Sequence, residues 1–269
     1  MERFLIDVSE HQGVIDWNQV KGHIDGVILR CGYGMDIASQ DDKQWTRNVA
    51  ECERLGIPFG VYLYSYATNA DKARSEAQHV LRLIKGHKLS YPVYYDLEDK
   101  SIEGAAVANA KIFGDIIEAA GYWCGVYYNR DWHNRIVKGQ LNRFTIWGAG
   151  YGSNNGQKQD NYKPGFGEDI WQYSSKGSVP GVSGNVDVNV CYRDFPAEIG
   201  GGSTPAPAPQ PTPTPTTKYK EGDHVVFSTC YASSTDPISK AIPASKMARN
   251  HGVITGIYPG TCWTRTCVL

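Results

Sequence analysis

The sequence predicts an α/β chain: an irregular TIM-like (β/α)5(β)3 barrel over residues 1–198, a Pro-rich linker over 199–217 and a small β-rich segment over 218–269. Three observations predict it. Short apolar runs alternate with amphipathic helical stretches for five units, the pattern of strands buried on both faces of a parallel sheet. From Phe144 onward strands follow one another without helices, and a total of eight permits closure into a barrel. Residues 200–217 hold only Gly, Ser, Thr, Pro, Ala and Gln, and cannot build a core.

The elements follow in order. Phe4-Leu5-Ile6-Asp7-Val8-Ser9 is a strand that ends in the polar cluster Ser9–Gly13, and Asp16 is a candidate N-cap for a brief helix. Residues 26–31 form a second strand. Residues 43–55 fit a helix with Trp45, Val49, Cys52 and Leu55 near one face, stopped by Gly56. Residues 58–66 are a third strand. Asp71–Lys85 is an amphipathic helix with Ala73, Ala77, Val80, Leu81 and Ile84 on its stripe. The run Tyr91–Glu98 is a strand, with Pro92 at its start, where a strand tolerates proline. Residues 103–120 make a helix on Ala106, Ala110, Phe113 and Ile117, closed by Gly121. Residues 122–128 are a fifth strand, and 130–139 fit a short helix. Residues 144–147, 169–173 and 186–190 are the last three strands, with a Gly-, Asn-, Lys- and Pro-rich stretch over 150–168. Beyond the linker, residues 223–227 and 251–258 look like strands. Alternating prolines favour an extended spacer of roughly 40–50 Å.

Composition excludes several functions. Residues 218–269 carry six Lys/Arg and three Asp/Glu, too sparse a basic density for nucleic-acid binding. No apolar stretch is long enough to span a membrane, and Phe4-Leu5-Ile6 is too short for a signal-peptide core. The expectation is a chain made in a cytoplasm, with Cys31, Cys52, Cys124 and Cys191 as reduced core thiols. Histidines show no zinc spacing, Gly148-Ala-Gly150-Tyr-Gly152 precedes no helix, and no Gly-x-Ser-x-Gly elbow occurs. No metal or cofactor is expected.

What remains is carboxylate chemistry. Asp96 and Glu98 are two apart, so in an extended chain both point to one face, about 6.5–7 Å apart. Asp7 and Asp187 also sit at strand ends, and a closed barrel brings such ends to one rim. Paired carboxylates at a rim are the raw material of glycosidic acid/base chemistry. Tyr62, Tyr64, Tyr127, Trp147 and Trp171 lie on strands and offer faces to a sugar, although some of the five serve packing alone.

At this point the chain resembles the glycoside hydrolase family 25 muramidases, the Chalaropsis-type lysozymes of phage endolysins and bacterial autolysins. The resemblance rests on Asp7-Val8-Ser9-Glu10-His11-Gln12-Gly13-Val14-Ile15-Asp16-Trp17, Gly60-Val61-Tyr62-Leu63-Tyr64-Ser65, Asp96-Leu97-Glu98, Trp171-Gln172-Tyr173 and Val186-Asp187-Val188-Asn189, and covers roughly residues 3–196. It implies the same barrel and cleavage of the β-1,4 bond between N-acetylmuramic acid and N-acetylglucosamine in peptidoglycan. By motif position it implies Glu98 as general acid/base, Asp96 as its partner, and Asp7 and Asp187 completing the acidic site. Direct attack by Asp96 and attack by the substrate's own acetamido group both fit. More weakly, residues 218–269 resemble SH3-like wall-binding modules, through Tyr219–Val225, Tyr231–Ser234 and Gly252–Thr255. The implied setting is lysis of a Gram-positive host, with the protein reaching the wall after release. A non-catalytic glycan binder on the same barrel is the rival reading. An amidase or peptidase would need a zinc or Cys/His site that the sequence does not offer.

Overall fold

A computed structural model gives the fold of residues 2–200 and, beyond them, the backbone of four short strands. Eight strands close a barrel in sequence order: β1 (Arg3–Val8), β2 (Gly26–Tyr33), β3 (Phe59–Tyr64), β4 (Val93–Asp96), β5 (Cys124–Asn129), β6 (Thr145–Ala149), β7 (Ile170–Gly177) and β8 (Val186–Cys191). Strands β1 to β7 run parallel, and β8 is antiparallel to both β7 and β1. The parallel barrel expected from the apolar runs therefore holds for seven strands. The eighth reverses because residues 178–185 supply no crossover helix, and a short connection between neighbouring strands turns the chain back.

Helices α1 (Trp17–Val20), α2 (Trp45–Leu55), α3 (Ala70–Leu83) and α4 (Ala106–Ala119) follow the first four strands. Asp16 caps α1 by accepting from the amides of Asn18 and Gln19, as its position suggested. Gly56 ends α2 in the left-handed conformation, φ 67°, where a side chain would be strained. The apolar stripe of α4 is buried at Ala106, Ala110, Phe113 and Ile117. The helix expected over 130–139 is one short turn, α5 (Arg130–Trp132), which widens into a π-helical turn at His133–Val137. A last helix, α6 (Phe195–Gly200), takes in Ile199 and Gly200, two residues read from sequence as linker.

The core has two layers. The outer one packs strand side chains such as Ile6, Leu29, Val61 and Val126 against the helices. The inner one fills the barrel with Leu5, Ile28, Tyr94, Tyr127, Trp147 and Ile170, and Tyr91 and Phe195 close the end opposite the rim. Gly26 makes room for this plug, since a Cβ there would lie 2.6 Å from the Tyr91 ring. The interior is a packed solid, so the barrel offers no internal pore for a ligand.

The strand expected over 91–98 spans only Val93–Asp96. Pro92 has no N–H to give the ladder, and Asp99 caps a 3-10 turn at Lys100–Ile102, which draws the chain off the sheet. Beyond Gly200, His224–Val226 pairs antiparallel with His251–Val253, and Thr229–Cys230 with Ile242–Pro243. The rest of the linker and of the SH3-like segment lies outside the described residues.

Candidate active site

Asp7 is the inward-facing penultimate residue of β1, and its partner across the antiparallel ladder is Asp187. Asp187 stands near the start of β8, not at its end. Because β8 runs backwards, its start meets the rim where the other strands finish. Directly opposed residues of an antiparallel pair put their side chains on one face, so the two carboxylates confront each other. Asp96 ends β4, in register with Tyr64 of β3 and Tyr127 of β5. Glu98 follows one residue past a buried Leu97 and is exposed. The four carboxylates expected to meet are thus delivered to one rim.

Their electrostatics are those of a strained cluster. Asp7 and Asp96 are each only 4% exposed. Burial pushes Asp7 well above the usual carboxylate range, with the Asp187 and Glu98 charges adding to it and hydrogen bonds from Asn189 and Gln172 opposing it. Burial also pushes Asp96 well up, reinforced by Glu98 and Asp7 and opposed by Arg30. Asp187 is raised by burial to about 6. Glu98 is raised by the protein mass on its flanks, then by Asp187 and Asp99, although its surface remains open to water. Arg30, the cation that opposes the rise at Asp96, is itself held by Asp42 at 2.8 Å and Glu10 at 3.0 Å.

Asp7 is the best anchored of the four. Its Oδ2 accepts from Gln172 Nε2 and from Asn189 Nδ2, both at 2.9 Å. Gln172 Oε1 in turn accepts the hydroxyls of Tyr127 at 2.7 Å and Tyr151 at 2.5 Å. Asn189 Oδ1 accepts the indole N–H of Trp147 at 2.8 Å. In contrast, Asp96 Oδ1 is buried and has no hydrogen-bond partner among the described residues. A buried carboxylate oxygen without a donor is costly.

The five expected aromatic residues separate. Tyr62 and Tyr64 are half-buried at the rim, and Tyr127 is buried beneath it beside Asp96. Trp147 is 2% exposed inside the barrel, its ring 4.7 Å from that of Tyr127 and 5.3 Å from that of Tyr94. Trp171 is a correction. It is 0% exposed in the outer core, and its indole N–H is committed to the Gly150 carbonyl at 2.8 Å, so it offers no face to a sugar. The alternation that turns Gln172 inward turns Trp171 outward. Sequence reading had not singled out Tyr66. It is 43% exposed and packs on Tyr64 and Tyr33 at 5.0 and 6.3 Å. Gln172 and Asn189 stood in quoted motifs, and only their alternation with Trp171 and Val188 marks them as inward-facing.

Cys31, Cys52, Cys124 and Cys191 are free and buried, and burial raises the Cys31 thiol, which removes it as a nucleophile. Among the described residues, no group of three or more His, Cys, Asp or Glu is arranged to hold a metal ion, and no helix is long and apolar enough to cross a membrane.

A carboxylate cluster at one rim of a closed barrel is an arrangement that glycoside hydrolysis can use. Residues 6–182 match the glycosyl hydrolases family 25, and the chain belongs to that family. It is 27% identical over 188 residues to the autolytic lysozyme of Clostridium acetobutylicum, a match covering 68% of this chain and 54% of that protein. The modular autolysin LytC from Streptococcus pneumoniae superposes with a TM-score of 0.60 at 33% identity, over 71% of this chain and 47% of that one. The chain thus spans about half the length of these relatives. The catalytic domain of endolysin ply40, from bacteriophage P40 of Listeria monocytogenes, shares the fold with a TM-score of 0.67 at 24% identity, over 75% of this chain and 98% of that domain.

Proposed function

We propose that the protein is a peptidoglycan hydrolase that cuts the β-1,4 bond between N-acetylmuramic acid and N-acetylglucosamine, serving lysis of a Gram-positive cell. The observation that carries this reading is Glu98: an exposed carboxyl at the rim, raised in pKa by its protein surroundings and by Asp187. A raised carboxyl holds its proton to higher pH than a free one and can deliver it to a glycosidic oxygen. In this mechanism Glu98 protonates the leaving oxygen as the C1–O bond breaks. The oxocarbenium-like centre is met by Asp96 directly, or by the substrate acetamido group assisted by Asp96. Glu98 then takes a proton from the water that completes hydrolysis. The unpartnered Asp96 Oδ1 suits both routes, since the acetamido N–H is a donor of the kind it lacks. Asp7 and Asp187 supply the negative surroundings that favour the cation, and Tyr62 and Tyr64 border the sugar.

Further support comes from the relatives. One is described as an autolytic lysozyme, and LytC has been solved in complex with a synthetic peptidoglycan ligand. Peptidoglycan is accordingly the proposed partner, reached at the wall after synthesis in a host cytoplasm and release. Residues 201–217 then act as spacer and 218–269 as SH3-like wall anchor, a tether that raises the local substrate concentration. The test is Glu98→Gln, which should abolish release of muramic-acid reducing ends from purified walls. Full activity in that variant would sink the assignment.

A further inference from the structure

Asp7 is held in a way the acid/base roles do not use. Both of its amide donors converge on one oxygen, Oδ2, which leaves Oδ1 to the site. Each amide's orientation follows from its second partner. The indole of Trp147 is a donor only, so Asn189 must present Oδ1 to it and its NH2 to Asp7. Gln172 receives two phenol hydroxyls on Oε1, which leaves its NH2 to Asp7 Oδ2. Five side chains from β5, β6, the loop after β6, β7 and β8 thus determine one carboxylate orientation, and Gln172 and Asn189 are buried. Trp147, which its sequence position offered as a sugar platform, lies in this network with its N–H committed.

We propose that Gln172 and Asn189, oriented by Tyr127, Tyr151 and Trp147, are positioning residues that clamp Asp7 by one oxygen and aim the other at the reacting sugar. This rests on the glycosidase reading of the rim. Loss of a second-layer amide of this kind costs about 10- to 100-fold in activity. The groups that titrate around Asp7 are Asp187 from β8, Asp96 and Glu98 at the end of β4, Tyr62 from β3 and Tyr151 after β6, with Arg30 beside Asp96. Activity is therefore read as a ratio to wild type at each pH, which isolates the substituted residue.

Two substitutions at Gln172 test the clamp in the full chain. Gln172→Met removes the donor and should lower kcat about 10- to 100-fold with KM for soluble wall fragments unchanged. Gln172→Glu should be as slow at neutral pH and recover relative to wild type as pH falls, because its protonated carboxyl again offers Asp7 a donor. Wild-type kcat in Gln172→Met, or an equal loss in both variants at every pH, overturns the clamp. Should either variant fail to fold, Trp147→Phe removes only the indole donor and ring bulk, and is expected to lower kcat at constant KM; unchanged kcat there overturns the proposal. Wild-type turnover tests the glycosidase reading separately. The clamp also has a readout that needs no activity. The side-chain amide resonances of Gln172 and Asn189, assigned by substitution, should shift in Asp7→Asn, and unmoved resonances contradict it.

Discussion

The barrel buries carboxylates in several places, and two of them do so in opposite ways. On the outer face of the sheet, Glu76 of α3 is fully buried and fully paired: Oε1 accepts the Tyr66 amide at 2.8 Å, and Oε2 accepts Ser65 Oγ at 2.8 Å and Tyr95 OH at 2.5 Å. Its bonds fasten the chain leaving β3 to the helix that follows. At the rim, Asp96 is as deeply placed, yet one of its oxygens has no donor, and its neighbours are Glu98 and Asp7. Satisfaction marks Glu76 as a structural carboxylate. Unpaired burial among like charges marks the rim as a place where folding free energy is sacrificed for chemistry.

Substitutions should separate the two regions. The largest effect is expected at Glu98→Gln, a loss of about 10²–10⁴-fold in wall hydrolysis with an unchanged melting temperature. Reducing-end assays and calorimetry check the two halves. Next, Asp96→Asn should lose activity to a similar degree while raising the melting temperature, because it removes an unpaired buried charge. Glu76→Ala should do the reverse: a destabilisation of about 1–3 kcal/mol for the donors left without a partner, and retained kcat in the folded fraction. Equal behaviour of Asp96→Asn and Glu76→Ala in denaturant titrations would erase the distinction between the regions.

The rim should also announce itself in the pH dependence of stability. Asp187 has a folded pKa of about 6, above its ordinary value. The folded state therefore holds this proton more tightly than the unfolded chain. Its contribution is fully present below the unfolded pKa and is lost as pH rises through about 6. Melting curves of wild type and Asp187→Asn should diverge over that interval, with wild type falling relative to the variant as pH rises. The smallest effect is expected at Trp171→Phe, which removes one buried hydrogen bond to Gly150, costs about 1 kcal/mol and leaves kcat unchanged.

Much of this fold was legible because period and punctuation agree. The stripe of Ala106, Ala110, Phe113 and Ile117 and the stop at Gly56 depend only on local geometry. The four carboxylates were legible because each stands at a strand boundary. The direction of β8 was not, since it depends on a connection rather than on a residue pattern, and it alone explains how Asp187 reaches Asp7. The fate of the aromatic residues was equally hidden. Trp147 and Trp171 each follow an isoleucine on a strand, and the inward or outward parity of each strand separates an interior donor from an outer-core ring. The amides on Asp7 come from elements distant in sequence, which no local pattern reports.

The central claim is that the rim delivers a proton to one particular glycosidic bond. Mass spectrometry of the soluble products from purified Gram-positive peptidoglycan tests it most directly. The account predicts fragments that end in reducing N-acetylmuramic acid, formed by wild type and absent with Glu98→Gln. Fragments ending in reducing N-acetylglucosamine, or newly freed amino groups without new reducing ends, would contradict it.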